Sequence, residues 1–536
     1  MKEYENRATG RKWESYKVLS TLVVRFIWRR TSILNDLHLI SKSRGEKDKL
    51  PGVAIICGGS IAGLFAAKIC ANHYKKVLVI EPEKWVTTED GLEDYHRDSN
   101  PPKRSRVAQY LAFHHLPLLI TLAMEEMFPT FESELKHIGG KLILETESFY
   151  IQGAPTKLPS GYPHYSGGVY PPVIVASRPA FETTLRRLVL RTCKEIEYVN
   201  GTVTDLIYDG EVGNNRVTGV KVKLANGETT NMEGSLVVDA TGSSQGGFRW
   251  LKTLPTPPRL TSLQDLKLSF DPKMAYTTCE FELSPKLEEE FRKYSLSTDS
   301  DTSCTVYAYF PTSGEDNRQI IIEKREKNFQ RPSLVHFVCG GFNWHGRVQS
   351  VDDIQSFLKE MNVKQPLPKF IGEMLDSIRN ENIRTSFTHM RAPQSVYIKY
   401  HEAGYLPSNF VVVGDALTQS NPINGQGCAK ACAHSIILNA QLENVTNVVY
   451  FDRDNLKLSD YRFPSTVPIQ GEDRLQVISG LLPAYGKILF SLTTEDADVS
   501  GVLYRQAGWL EPPLYTLAPW IIRRAAWAWF KRLFVR

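Results

Sequence analysis

A chain of 536 residues, 42% hydrophobic and 23% charged, has the apolar content for two or three domains or one elaborate α/β body, which excludes an intrinsically disordered chain. A net charge of +5 over that length, with no basic tract carrying interleaved aromatics, argues against a nucleic-acid partner. The eight cysteines are scattered without a C-x-x-C pair, and Cys428 and Cys432 have no histidine or cysteine set beside them for zinc. No metal site is expected, and the thiols read as free in a reducing compartment. Polar residues open the chain and no cleavage signal follows, so the expected location is the cytoplasm or the cytosolic face of a membrane.

Residues 1–50 form an N-terminal extension. Its apolar run Val18–Trp28 is interrupted by Arg25, followed by Arg29 and Arg30, and too short to span a bilayer. A helix packed on the body and a membrane-surface contact both remain open for it. Val53–Cys57 is then a short β-branched run suited to a buried strand. Gly58-Gly59-Ser60-Ile61-Ala62-Gly63 makes a turn into an apolar helix, and a second strand, Val77–Ile80, ends at Glu81. Strand, glycine turn, helix and strand together read as a dinucleotide-binding unit. Gly58 permits the tight turn, Gly63 permits close helix–strand packing, and the helix start offers N–H groups to a pyrophosphate. Glu81 falls where an acid reaches ribose hydroxyls. Ser60 replaces the usual second glycine, so its Cβ narrows the backbone's approach while its hydroxyl is placed to bond a phosphate oxygen. The competing reading is a generic tight turn between core elements.

Arg106-Val107-Ala108-Gln109 leads into a mostly apolar segment, Tyr110–Met124. Arg106 and Gln109 share a helix face or line a loop mouth, and either suits a group leaning on a cofactor, against the commoner fate of a surface ion pair. His114 and His115 are adjacent, do not make a chelating pair, and read as polar-edge residues. Residues 130–175, with Gly161-Tyr162-Pro163 and Tyr170-Pro171-Pro172, read as the loops of a lid or cavity wall. Val173–Ala176 is a strand, Ser177 an N-cap and Pro179 an early helical position, with Phe181, Leu185 and Leu188 as one buried stripe. Arg178 stands at that helix start, where a cofactor would meet it.

Strands and turns follow from Ile196 to Val238, with turn signals at Asn214-Asn215 and Ala225-Asn226-Gly227 and an alternating strand at Val217–Leu224. Leu236-Val237-Val238-Asp239-Ala240-Thr241-Gly242 then puts Asp239 and Gly242 at a strand's carboxyl end, where open α/β sheets bind ligands. From 260 to 400 strand-like runs at Thr305–Phe310, Gln319–Glu323 and Leu334–Cys339, with one helical pattern at Val351–Met361, predict a mostly antiparallel inserted sheet. The first texture returns at Phe410-Val411-Val412-Val413, Gly414-Asp415-Ala416 and Asn421-Pro422-Ile423-Asn424-Gly425-Gln426-Gly427, before an apolar helix from Cys428 to about Leu442. That helix start is anion-receptive, and the Asp415 carboxylate suits polyol hydroxyls. Residues 446–536 read as helices. The last segment, 519–536, carries Ile522, Ala526, Trp529, Phe530 and Leu533 on one face and Arg523, Arg524, Lys531 and Arg532 elsewhere, which favours a peripheral membrane contact over a docked helix.

Three glycine turns around an inserted sheet resemble the flavoprotein monooxygenases of the para-hydroxybenzoate hydroxylase fold. The chain is particularly similar to FAD-dependent epoxidases and hydroxylases that act on lipophilic substrates, squalene epoxidase among them. The resemblance runs from about Val53 to Leu442 and is carried by GGSIAGL with Glu81, Arg106 and Gln109, SRPAFETTLR with Arg178, DATG, and GDALTQSNPINGQG. It implies an α/β, Rossmann-like three-layer FAD-binding fold with an inserted, mostly antiparallel substrate sheet and a C-terminal helical region. The divisions it implies are 1–50, 51–255, 256–400, 401–445 and 446–536.

The resemblance also implies roles. Gly58, Gly59, Ser60, Ile61, Ala62 and Gly63 would hold the FAD pyrophosphate, and Glu81 the adenosine ribose. Arg106, Gln109 and Arg178 would approach the cofactor, Asp239 and Gly242 would belong to its second turn, and Asp415 would take the ribityl–pyrophosphate region. The helix start at Pro422, Gly425, Gln426 and Gly427 would face the flavin pyrimidine edge. NAD(P)H would bind transiently, since no second fingerprint appears, and O2 would react to a C4a-hydroperoxide that oxidises a lipophilic small molecule. Such a transfer needs no nucleophilic side chain, and no catalytic residue is nominated; His114, His115, Tyr162 and Tyr170 are pocket candidates better suited to structural roles. DATG departs from the Asp-Gly turn of aromatic hydroxylases and points to the halogenase, reductase and epoxidase side. A halogenase should carry W-x-W-x-I-P, whereas the W-x-W at Trp527–Trp529 runs on into Phe530-Lys531-Arg532. A prenyl-chain reductase and a non-redox flavin-binding protein remain as alternatives.

Overall fold

The computed structural model describes residues 32–92, 104, 106–107, 109–143, 149–151, 154–157, 161–162, 168–208, 216–253, 263–294, 306–309, 316–324, 333–362, 366–403, 406–422, 425–444, 467–470, 481–511 and 513–534. The run Val18–Trp28, the Asn214-Asn215 turn, Pro163 and Ile423-Asn424 lie outside these residues.

Short aliphatic runs pair as parallel strands in the order Phe410–Val412, Leu236–Asp239, Leu50–Cys57, Tyr74–Glu81 and Ile196–Tyr208. Val217–Leu224 and Thr229–Glu233 continue them as an antiparallel meander, completing a seven-stranded sheet. Alternate residues bury on opposite faces. Ala54, Ile56, Val77, Val79 and Val238 pack with the helices Ile61–His73, Leu118–Met127, Arg178–Thr192 and Gly427–Asn444, while Ile55, Cys57, Val237 and Val412 pack towards Phe248, Trp250 and Tyr400. Burial on both faces explains why these strands read as unbroken apolar runs.

A second seven-stranded sheet is mostly antiparallel, in the order Thr385–Arg391, Met274–Glu282, Leu334–Phe342, Arg318–Lys324, Val306–Tyr309, Phe149–Ile151 and Ala154–Pro155. Its last two strands come from the 130–175 segment, and Phe149–Ile151 runs parallel to Val306–Tyr309. One face carries Cys279, Phe281, Ile320, Ile322 and Phe337 into a core with the helices Pro285–Arg292, Val351–Glu360 and Lys369–Arg379. Two of these helices were not expected. Ile371, Met374, Leu375 and Ile378 recur at helical spacing in Lys369–Arg379, a signal interrupted by Gly372.

Within the apolar segment Tyr110–Met124 a helix begins at Leu118, after Pro117, whose ring disfavours helical backbone at the preceding residue. One other expectation gives way to local chemistry. Val467–Gln470, expected within a helical region, is an edge strand paired with Lys267–Asp271 in a four-stranded sheet, where Pro468 is tolerated. The helices Leu481–Leu492, Ala497–Ala507 and Pro519–Phe534 share a core of Leu489, Leu492, Val499, Val502, Ile521 and Ala525. Tyr504 meets Tyr170 edge-on at 5.2 Å, and the Arg505 guanidinium donates to the Tyr170 hydroxyl at 3.0 Å. Among the described residues no helix is long and apolar enough to cross a membrane.

Candidate functional site

The site begins with strand register. Cys57 lies opposite Asp239, and Asp239 opposite Val412, so three neighbouring parallel strands end on one line. The turns that leave them, at Gly58, Ala240–Gly242 and Gly414, therefore open at the same sheet edge. Gly58 has φ +117° and a Cβ there would lie 2.5 Å from the Ala240 carbonyl oxygen, so the first two turns touch through backbone. A Cβ on Gly414 would meet the Ala62 Cβ at 2.7 Å, which joins the third turn to the first. The Gly414 N–H donates to His434 Nδ1 at 2.9 Å.

Beyond this edge lies a cavity of about 1060 Å³, bounded on the far side by the antiparallel sheet. Small-molecule pockets commonly run about 300–1,000 Å³, so this cavity stands at the upper end of that range. Of the residues anticipated as cofactor-binding, Gly58, Gly59, Ser60, Ile61, Ala62, Glu81, Arg106, Gln109, Arg178, Gly242, Asp415, Pro422, Gly425, Gln426 and Gly427 line it.

Gly63 and Asp239 do not, and both correct the reading of them as cofactor contacts. A Cβ on Gly63 would fall 1.8 Å from the Gly58 carbonyl oxygen, so that glycine serves helix–turn packing. Asp239 is fully buried and turns inward: its Oδ1 accepts from the Thr241 N–H at 2.9 Å and its Oδ2 from the Gly247 N–H at 2.7 Å. Burial pushes its carboxyl up, and these backbone donors oppose that shift. Asp239 shapes the turn that carries Gly242 to the cavity.

Two glycines leave real space. Gly242 and Gly427 line the cavity, and a Cβ on either would meet no atom of the described residues within 4 Å. Gly427 starts an 18-residue helix, so its N-terminal N–H groups stand beside open volume. The other helix start, at Ile61, has Ser60 as N-cap without a side-chain cap bond. Its first-turn N–H groups are thus left for another acceptor, a donor set that suits a pyrophosphate.

The Ser60 hydroxyl is committed elsewhere. It donates to Glu182 Oε2 at 3.0 Å and accepts from Arg178 Nη2 at 3.2 Å. Glu182 also pairs with Arg104, with Arg186 at 2.9 Å and with Arg178 at 3.6 Å. Burial alone would raise the Glu182 carboxyl, but Arg104, Arg178 and Arg186 outweigh it and hold that group at about 2. Arg104 reaches Glu81 at 2.8 Å and Glu83 at 2.7 Å as well.

Arg104, buried and bound to three carboxylates, was missed by the sequence reading, which chose the exposed Arg106 two residues on. Glu81 Oε2 accepts from Arg104 and from the Gly59 N–H at 2.8 Å, and Oε1 from the Glu83 N–H at 3.1 Å. A carboxylate has about four acceptor positions, so one remains for a ribose hydroxyl.

At the third turn, Asp415 pairs with the buried Lys430 at 2.8 Å, and Lys430 also donates to the Thr418 carbonyl. His114 and His115, two of the four pocket candidates, line the cavity too, and His115 packs where a Cβ on Gly425 would stand. Tyr162 and Tyr170 stack on each other at 5.6 Å, away from the cavity lining.

No protein-family model matches the chain, and no curated protein matches it. Among solved structures it is similar to the flavin-dependent brominase Bmp2, with a TM-score of 0.54 at 15% identity over 90% of this chain and 99% of that one. It is also similar to a flavoprotein/dehydrogenase from Cytophaga hutchinsonii, with a TM-score of 0.51 at 14% identity over 90% and 99% of the two chains. At these identities the likeness establishes the fold: a parallel-centred α/β body with added antiparallel sheets, as in these flavoproteins.

Proposed function

We propose that the protein is an FAD-dependent monooxygenase that uses NAD(P)H and O2 to epoxidise or hydroxylate a lipophilic small molecule. The observation that carries this reading is the opening of three glycine turns, from in-register strand ends, into one cavity at the upper end of the small-molecule range. Bound FAD would supply the hydride-accepting and oxygen-activating chemistry, which side chains lack. The chain's own tasks are binding, orientation and exclusion of water.

Gly58–Ala62 and the start of Ile61–His73 would hold the pyrophosphate, Glu81 would accept one ribose hydroxyl, and Arg178 would lean on the phosphates from its place beside Ser60. The helix start at Gly425–Gly427 would favour negative charge on the ring system, worth about 0.3–2 kcal/mol. Met274, Tyr276, Ile321, Val338 and Met390 would give the substrate an apolar wall. A polyketide or terpenoid intermediate of secondary metabolism, and kinship with squalene-epoxidase-type enzymes, are the finer form of the proposal.

The brominase likeness gives halogenation a claim as the second reading. Against it, the W-x-W at Trp527–Trp529 stands on the exposed terminal helix rather than in the cavity. The deciding experiment is the absorption spectrum of the purified protein, followed by NADPH oxidation and O2 consumption with candidate substrates, with and without bromide. A colourless protein sinks both readings. Bromide-dependent turnover selects the halogenase, and substrate-stimulated O2 uptake without halide selects the monooxygenase.

A further inference from the structure

The far wall of the cavity is organised in rows across the strands. Gln319 lies opposite Gly340, Gly340 opposite Tyr276, and Tyr276 opposite Met390. Directly opposed residues share a sheet face, so the row reads Gln319, a gap, Tyr276, Met390, and all three side chains line the cavity. The gap is enforced, because a Cβ on Gly340 would lie 2.4 Å from the Tyr276 Cβ. The adjoining row, Ala308, Ile321 and Val338, also lines the cavity and is apolar.

Gln319 is only 4% exposed, yet its amide has no hydrogen-bond partner among the described residues. Buried amides are rarely left so. Across the gap the Tyr276 hydroxyl donates to Met390 Sδ at 3.3 Å, which leaves its oxygen able to accept. Two strand spacings separate Gln319 from Tyr276, roughly 9–10 Å, about the width a flat ring system needs.

We propose that this row is a subsite for a carbonyl or hydroxyl group on an otherwise apolar ligand. The polar group meets the Gln319 amide, and the skeleton lies over Gly340, Ile321 and Val338. The proposal rests on reading the sheet side of the cavity as the substrate half.

The test is equilibrium dialysis of the full chain with 2-acetylnaphthalene and 2-ethylnaphthalene, which share a skeleton and differ at the carbonyl. Wild type is expected to prefer the ketone about three- to tenfold, the worth of one neutral hydrogen bond. Gln319→Leu should abolish the preference while keeping hydrocarbon binding and the thermal midpoint, and Gln319→Asn should restore part of it. A preference that survives Gln319→Leu, no preference in wild type, or no binding of either compound overturns the subsite. The flavin spectrum is read on the same samples. A colourless protein that shows the expected preference would sink the flavin reading and leave the subsite standing.

A different observation carries a second proposal. Pro519–Phe534 docks through Ala518, Ile521 and Ala525, yet Ile522, Trp527, Trp529 and Phe530 remain 45%, 58%, 55% and 47% exposed on its other side. Trp527 and Phe530 stack at 5.8 Å, and the Lys531 ammonium stands 5.6 Å from the Trp527 ring centre. The helix carries no acidic residue; its Arg524 is held by Asp496 and Asp498 on the docked side, which leaves Arg523, Lys531 and Arg532 as the cations for an outside surface. We infer that this face rests on an anionic lipid surface, with aromatic rings at the interface and cations toward headgroups.

Co-sedimentation with phosphatidylcholine vesicles, with and without phosphatidylserine, tests it. Binding should need phosphatidylserine and fall at least about tenfold in the Trp527→Ser, Trp529→Ser, Phe530→Ser triple variant with an unchanged thermal midpoint. Equal binding by the variant, no binding by wild type, or a light-scattering dimer that the variant dissociates would overturn the proposal, the last by assigning the face to a second copy.

Discussion

Glu182→Gln is the sharpest test of how the cofactor end of the cavity is built. Glu182 is fully buried and surrounded by Arg104, Arg178 and Arg186, with the Ser60 hydroxyl on its Oε2. Burial favours the neutral acid, but the three guanidiniums prevail and lower the carboxyl from 4.5 to about 2. That displacement corresponds to about 3 kcal/mol in favour of the ionised form. Removing one charge from such a buried group typically costs about 3–5 kcal/mol, because its partners are left unpaired. The isosteric amide should therefore lower the urea midpoint at pH 7 by that much stability. The folded group titrates below its unfolded counterpart, so its contribution is complete above about 4.5 and fades as the pH falls towards about 2. The gap between wild type and variant should stay constant from neutrality to about pH 5 and close below it. Equal midpoints at pH 7, or a gap that does not narrow on acidification, would refute the reasoning.

Gly427→Leu should leave the thermal midpoint unchanged, since a Cβ there meets no atom of the described residues within 4 Å, and should lower the flavin-to-protein absorbance ratio of the purified protein. Gly63→Ala should yield little soluble protein, because a Cβ 1.8 Å from a backbone oxygen cannot be relieved by a rotamer change. Ser60→Gly would match the usual fingerprint, yet it removes the bond that steadies Arg178. It should cost about 1 kcal/mol of stability and weaken FAD binding in fluorescence titration, whereas tighter binding would mean that the serine is only tolerated.

The parts of this molecule written in local sequence were legible. Val53–Cys57, Val77–Ile80 and Phe410–Val413 announced themselves by apolar, β-branched runs, and the strands observed there differ by a few residues at their ends, while Val217–Leu224 announced itself by alternation and has the expected bounds. The glycine turns were equally visible, because a positive φ such as that of Gly58 or Gly414 demands that residue type. Pairings distant in sequence were not visible. Nothing in KRSR says which arginine turns inward, since that depends on Glu81 and Glu83 from one segment and Glu182 from another meeting at one point. Asp239 failed for a related reason: a strand-end carboxylate can face a ligand or its own turn, and only the position of Gly247 decides it. The gap at Gly340 needs the register of three strands, which no single strand carries.

Under the proposed flavin reading, attraction for a phosphate group has to come from outside the arginine cluster's net field. Glu81, Glu83 and Glu182 face Arg104, Arg178 and Arg186, three charges of each sign, so the cluster has little net field of its own. Buried pairs of this kind fix geometry more than they attract ligands. What remains for an anion is the uncapped start of Ile61–His73, together with Arg178 and Arg106 where they line the cavity. Ser60 is the hinge of that arrangement. Where a second glycine would have brought backbone against the ligand, the serine instead holds the arginine beside it, exchanging close backbone approach for a positioned cation.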